Sequence, residues 1–190
     1  MREASITRET LETRVKVWIS LDGSGKVGAS TGIGFLDHML ETMLYYAKFD
    51  ARVEAEETRS VGGHHVAEDV GLVLGDAIRE ALYQGAYARF GYAIVPMDEA
   101  LALAAVDISG RPVPVIERLD GSVGGVPLED LAHMVEALAW RLKASIHLMA
   151  LRRGNRHHTI EAMFKALGMA LGAATRPREG TVSLKGVLEG

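Results

Sequence analysis

The chain contains no cysteine among its 190 residues. Disulfides, thiolate metal ligands and a cysteine nucleophile are therefore excluded. It also lacks any apolar run approaching the roughly 18 residues that a membrane-spanning helix needs. The opening stretch "MREASITRETLETRV" is charged and has no apolar centre, so it does not read as a signal peptide. An excess of one charge is missing too. The net charge of -4 gives no pull toward nucleic acid or an anionic membrane. What is present, 48% hydrophobic and 24% charged residues, suits one compact domain or two small fused halves. The expectation is a soluble cytoplasmic protein.

Periodicity supplies the elements. "RVKVWISL" (14–21) alternates Val15, Val17 and Ile19 with polar neighbours, which predicts a strand with one buried face. "FLDHMLETMLYYAKF" (35–49) has helical spacing, and "DARVEAEE" (50–57) reads as a strand. Residues 64–90 carry a long helix with an apolar face from Val66 to Leu82. Strands are then expected at 99–110 and 112–119, a helix at 128–146, a strand at 147–152 and a last helix at 157–174. The order partly repeats. "FLDHMLETML" (35–44) aligns with "DLAHMVEALA" (130–139), so that His38 meets His133 and Glu41 meets Glu136. The expected halves are 1–92 and 93–190, integrated as one domain.

Histidine placement is the strongest chemical signal. His64 and His65 precede Glu68, and His157 and His158 precede Glu161, giving two copies of His-His-x-x-Glu. Each residue of an α-helix turns by about 100°, so adjacent histidines point apart, whereas i and i+4 share a face. His64 therefore works with Glu68, and His157 with Glu161. His65 and His158 must look elsewhere. With His38 and His133 added, six histidines and two glutamates divide into three His and one Glu for each of two ions. Imidazole with carboxylate suits manganese, iron, zinc, cobalt or nickel. The zinc-protease pattern His-Glu-x-x-His is absent. His147, within "SIHLMAL", is expected to be a packed strand histidine.

Other polar residues are ambiguous on their own. Arg89, Arg111 and Lys185 stand beside glycine or a turn, and Ser183 adds a hydroxyl. Guanidinium recognises phosphate oxygens bidentately, yet most such side chains are simply solvated. "SLKG" is no P-loop. Glu12, Asp98 and Glu99 read as surface carboxylates, and Asp37 as a helix-start residue or a support for His38. A dinuclear phosphate-ester hydrolase or a non-catalytic metal-held shell would share the histidine pattern. The hydrolase, however, usually holds its metals about 4 Å apart with bridging carboxylates.

Taken in order, "GIGFLDHML", "HHVAEDVGL", "VPMDEAL", "DISGRP", "GNRHHTIEAMFKAL" and "SLKGVL" resemble the imidazoleglycerol-phosphate dehydratase family, over about residues 3 to 188. The resemblance implies an α/β fold, an α+β sandwich of two duplicated halves, each a four-stranded sheet packed on two helices. It implies a homo-oligomer, a 24-subunit shell whose sites form where subunits meet, with two Mn2+ ions per site. The implied reaction removes water from imidazole glycerol phosphate in histidine biosynthesis, giving imidazole acetol phosphate. The implied metal ligands are His38, His64, His65, Glu68, His133, His157, His158 and Glu161. Glu12 would be the acid/base carboxylate, and Arg89, Arg111, Ser183 and Lys185 the phosphate contacts. Three positions depart from the family pattern: Gly62 and Gly63 stand where two aspartates are usual, and Thr42 where glutamine is usual. Residues 118–130 match poorly.

Overall fold

The computed structural model describes residues 1–59 and 62–179. Two four-stranded sheets form. The first pairs β1 (Glu3–Glu9), β2 (Thr13–Ser20), β4 (Asp50–Glu57) and β3 (Val27–Ser30) in that spatial order. The second repeats the order with β5 (Phe90–Met97), β6 (Ala100–Asp107), β10 (Ser145–Arg152) and β7 (Val113–Ile116). In each sheet the first three strands are antiparallel and the last pairs in parallel. A small hairpin, β8 (Ser122–Val123) with β9 (Val126–Pro127), occupies the poorly matching segment.

Helices α1 (Gly34–Ala47) and α2 (Gly63–Leu82) cover the first sheet, and α3 (Leu128–Leu142) and α4 (Arg156–Ala174) the second. The halves meet helix to helix, α2 on α3 and α1 on α4. The order is thus sheet, helices, helices, sheet. Every helix has its apolar stripe between layers. Val15, Val17 and Ile19 of β2 and Ile146 of β10 are fully buried beneath them. Burying one such side chain is worth about 1.5–3 kcal/mol. Small residues set the spacing: a Cβ on Gly75 of α2 would lie 2.6 Å from the Leu138 carbonyl oxygen of α3, and one on Gly168 of α4 2.1 Å from that of Met43 in α1.

The expected duplicated sandwich is present, with differences in detail. The helix expected within 64–90 ends at Leu82, and β5 starts at Phe90, so the seam between halves lies in 83–89. The helix expected over 128–146 ends at Leu142, because Lys143 takes a left-handed conformation, φ 57°, and β10 begins at Ser145. Strands β1, β3 and β5 were not anticipated from periodicity. His147 is exposed rather than packed: Ile146 and Leu148 take the inward face of β10, and the two-residue alternation sends His147 outward. Among the described residues, no helix is long and apolar enough to cross a membrane.

Candidate metal centres

The four helices bring their N-terminal turns to one end of the molecule, because α1 packs on α4 and α2 on α3 with the histidines early in each. Two three-residue clusters result. His38, His157 and Glu161 converge in one, and His64, Glu68 and His133 in the other, with donor atoms in each group within 4.8 Å of one another. The lone histidine of each half thus joins the His-x-x-x-Glu pair of the opposite half. His157 Nε2 lies 2.9 Å from Glu161 Oε2, and His38 Nε2 3.5 Å from the same oxygen. In the second cluster His133 Nε2 lies 3.5 Å from Glu68 Oε1, and the His64 and His133 rings stack at 4.8 Å. Burial works to raise the Glu161 carboxyl, but Lys165, His38 and His157 outweigh it and hold the group below the usual carboxylate range.

His65 and His158 belong to neither cluster, as the helical-face reasoning requires. His65 Nδ1 is 3.6 Å from Glu12 Oε2. His158 Nδ1 is 3.1 Å from Glu99 Oε2, and together with Asp98 and Glu99 it forms a third convergent group. The two arrangements are counterparts, since Glu12 closes the β1–β2 connection and Glu99 the β5–β6 connection. Glu12 is held by its backbone. Its N–H donates to Thr10 Oγ1 at 3.1 Å, and its carbonyl accepts from the N–H of Thr58 at 2.8 Å. Next to it, the fully buried Thr13 hydroxyl donates to Asp69, which also accepts from Arg8 Nε at 2.9 Å. The connection carrying Glu12 is thereby locked onto α2.

The expected phosphate contacts lie elsewhere. The Arg89 N–H donates to the carbonyl of Ala174, at the C-terminal end of α4. His157 stands at the other end of that helix, roughly 25 Å away at about 1.5 Å per residue. Arg89 forms a bidentate pair with Asp107, 2.6 and 3.1 Å, which strengthens its hold on the proton. Arg111 follows the Gly110 turn, which is tied to Lys143 at the C-terminal end of α3. Both arginines are therefore at the end of the chain opposite its own clusters. Ser183 and Lys185 lie outside the described residues. Asp37 proves to be a helix-start residue, its Oδ1 accepting from the Thr31 N–H at 2.8 Å and hydroxyl at 2.6 Å.

Three supporting residues escaped the sequence reading. Asp130 Oδ1 lies 2.7 Å from His64 Nδ1, Glu136 Oε2 3.3 Å from His133 Nδ1, and Lys165 Nζ 2.9 Å from Glu161 Oε1. Glu136 and Lys165 lie on the same helix as the groups they support, at i, i+3 and i, i+4, whereas Asp130 comes from the opposite half.

The ligand chemistry fits divalent first-row cations, since each cluster offers two imidazoles and one carboxylate. In the second cluster Asp130 and Glu136 stand behind the two histidines, as carboxylates commonly do behind metal-binding imidazoles, and in the first Lys165 stands behind Glu161.

Comparison with known proteins identifies the family. The family model described as imidazoleglycerol-phosphate dehydratase matches residues 31–171. The imidazoleglycerol-phosphate dehydratase of Methanothermobacter thermautotrophicus is 46% identical over 192 residues, covering 99% of this chain and 98% of that protein. That of Desulfitobacterium hafniense is 46% identical over 194 residues, covering 99% of each. The crystal structure of IGPD from Pyrococcus furiosus, solved as a complex, superposes with a TM-score of 0.85 at 41% identity, covering 96% of this chain and 100% of that one. The enzyme from Staphylococcus aureus gives 0.82 at 32% identity, covering 93% and 99%. With the family model spanning most of the chain and relatives matching end to end, this chain belongs to the imidazoleglycerol-phosphate dehydratase family.

Proposed function

We propose that this chain is a hydro-lyase that removes water from imidazole glycerol phosphate to give imidazole acetol phosphate, the step of histidine biosynthesis for which its relatives are named. The observation that carries the reading is the crossed pairing, in which each lone histidine meets the opposite half's His-x-x-x-Glu pair. His38, His157 and Glu161 would hold one divalent cation and His64, Glu68 and His133 the other. Manganese is the ion we assign. His65 and His158, directed away from their own clusters, would complete the centres of neighbouring copies. Bound there, the cations would supply Lewis acidity toward the substrate's ring nitrogens.

The rest falls to the protein. Glu12 is the base: its carboxylate, half-buried beside His65, takes the carbon-bound proton whose loss yields the enol that becomes the ketone. The hydroxyl on the ring-bearing carbon departs with its bonding pair and is protonated by solvent to leave as water, which balances the proton that Glu12 takes and returns to solvent. Arg89 and Arg111, with Ser183 and Lys185, would grip the phosphate and so fix the ring for reaction. Since both arginines are far from the clusters of their own chain, the grip would come from another copy. We read the protein as a homo-oligomer on this ground, a 24-subunit shell working in the cytoplasm. The exposed Tyr92, Ile94 and Val115 on the outer face of the second sheet also favour association.

The test is to mix the protein with imidazole glycerol phosphate and follow the ketone. Product should form with manganese present and cease after chelation. Full turnover without any metal would contradict the cation assignment, and no product under either condition would contradict the reaction. Glu12→Gln should keep the bound metal and lose about 10²–10⁴ in turnover. A variant as active as the parent would remove Glu12 from the chemistry.

A further inference from the structure

The duplicated clusters have equal ligands and unequal surroundings. Around His64, Glu68 and His133 the supporting groups are acidic. Asp130, 8% exposed, accepts from His64 Nδ1 at 2.7 Å as a carboxylate, and this leaves Nε2 for the cluster. Glu136 Oε2 stands 3.3 Å from His133 Nδ1 and is itself paired with Arg118 at 2.8 Å. Around His38, His157 and Glu161 the repeat has diverged. Phe35 occupies the position aligned with Asp130, and its ring lies 5.5 Å from that of His157. Glu41, aligned with Glu136, turns instead to the Ala29 N–H at 3.2 Å. Lys165, aligned with Leu72, places its ammonium 2.9 Å from Glu161 Oε1.

Charges in direct contact with the ligands, or with their partners, can be summed. The first cluster has Glu68, Asp130 and Glu136 against Arg118, a net of two negative charges. The second has Glu161 against Lys165, a net of zero. A carboxylate behind a ligating imidazole raises its basicity and fixes its tautomer, whereas an ammonium on the ligating carboxylate must be outcompeted by the incoming cation. Histidines from neighbouring copies do not reverse the order. One brings Glu12 and the other Asp98 with Glu99. In either pairing the first cluster remains the more negative.

We propose that the two cation sites of this chain are unequal: the His64–Glu68–His133 site binds tightly and fills first, and the His38–His157–Glu161 site is the weaker, exchangeable one. The inference rests on the proposed reading of both clusters as cation sites. Asp130 and Lys165 act as positioning residues with opposite effects.

The experiment starts from chelator-stripped protein. It is loaded with one equivalent of manganese per chain, crystallised, and the anomalous signal at each cluster measured. In parallel, free Mn2+ is followed by electron paramagnetic resonance through a full titration. Signal concentrated at the His64 cluster, and two affinity classes separated by about tenfold or more, are expected. Asp130→Asn should weaken the tight class by roughly 10–100-fold, and Lys165→Met should tighten the weak class while leaving the tight one in place. Equal occupancies, a single class of two ions, or a weak class unmoved by Lys165→Met would overturn the inequality and leave the two-cation reading standing. No bound manganese at either cluster would overturn both.

Discussion

Glu99 shows how strongly local contacts can set one carboxylate. The Asn155 N–H donates to it at 2.5 Å, its own N–H adds a second bond, and His158 Nδ1 lies 3.1 Å away. These hold its carboxyl at about 2, against an ordinary 4.5. The sign follows from the depression. The charged form is favoured in the folded state, so the stabilisation is complete above 4.5 and is lost as pH falls through about 2. Carboxyl-detected NMR of the metal-free protein should give Glu99 a midpoint near 2. Glu99→Gln should flatten the decline in stability across that acid window, as read by urea unfolding. A Glu99 midpoint at the ordinary value would show that the bond to the α4 N-terminus is absent in solution. The contrast with Asp130 explains what a sequence reveals at this scale. His64 with Glu68 and His157 with Glu161 are legible because i, i+4 on a helix is geometry in itself. Asp130 meets His64 from the opposite half, and nothing local announces that contact. Gly62 is legible only afterwards: its φ of 101° and ψ of 155° fall where essentially only glycine goes, so any side chain would be strained there.

Elements were readable in proportion to how far their buried faces looked buried. Strand β2 alternates large apolar with polar residues and was plain. Strand β5 inverts the pattern: Phe90, Tyr92 and Ile94 are exposed, while Gly91 and Ala93 face inward. The reason is α4, which crosses so closely that a Cβ on Gly91 would meet the Ala170 carbonyl oxygen at 2.0 Å. Strand β3 is only four residues long, and β1 is a mostly exposed edge, so neither carries enough periodicity to be read. The same close approach ties helix packing to the candidate metal centres. Gly168 brings α4 onto the backbone of α1, and α1 carries His38 while α4 carries His157 and Glu161. Gly168→Ala places a methyl 2.1 Å from the Met43 oxygen, a backbone atom that cannot rotate away. Alanine gains about 0.8–1.0 kcal/mol in helix propensity, but overpacking costs about 1–3 kcal/mol. The variant should therefore unfold at lower denaturant and bind cations more weakly at the His38 cluster, with the His64 cluster little changed. Gly75→Ala should mirror this at the His64 cluster. Lost stability with cation binding intact at the His38 cluster would uncouple the helix interface from the centre.

At the scale of the whole molecule, duplication has produced a chain with its two sets of candidate functional residues at opposite ends. The candidate cation ligands collect where the helices begin, and Arg89 and Arg111 where α4 and α3 finish. The rigid helices between them set a separation far longer than a phosphorylated imidazole, so one copy cannot bring both ends to one substrate. The proposed enzyme must then work across copies, and variants damaged at opposite ends should repair each other. His64→Ala removes a ligand at one end. Arg111→Ala removes an exposed cation at the other. Each alone should assemble poorly or turn over little. Co-expressed, some sites would draw an intact cation end from one copy and an intact arginine from another, and activity should exceed the sum of the parents measured separately. A mixture that only matches that sum, with mixed assemblies confirmed by native mass spectrometry, would confine each site to one chain and would require Arg111 to act elsewhere than on the phosphate.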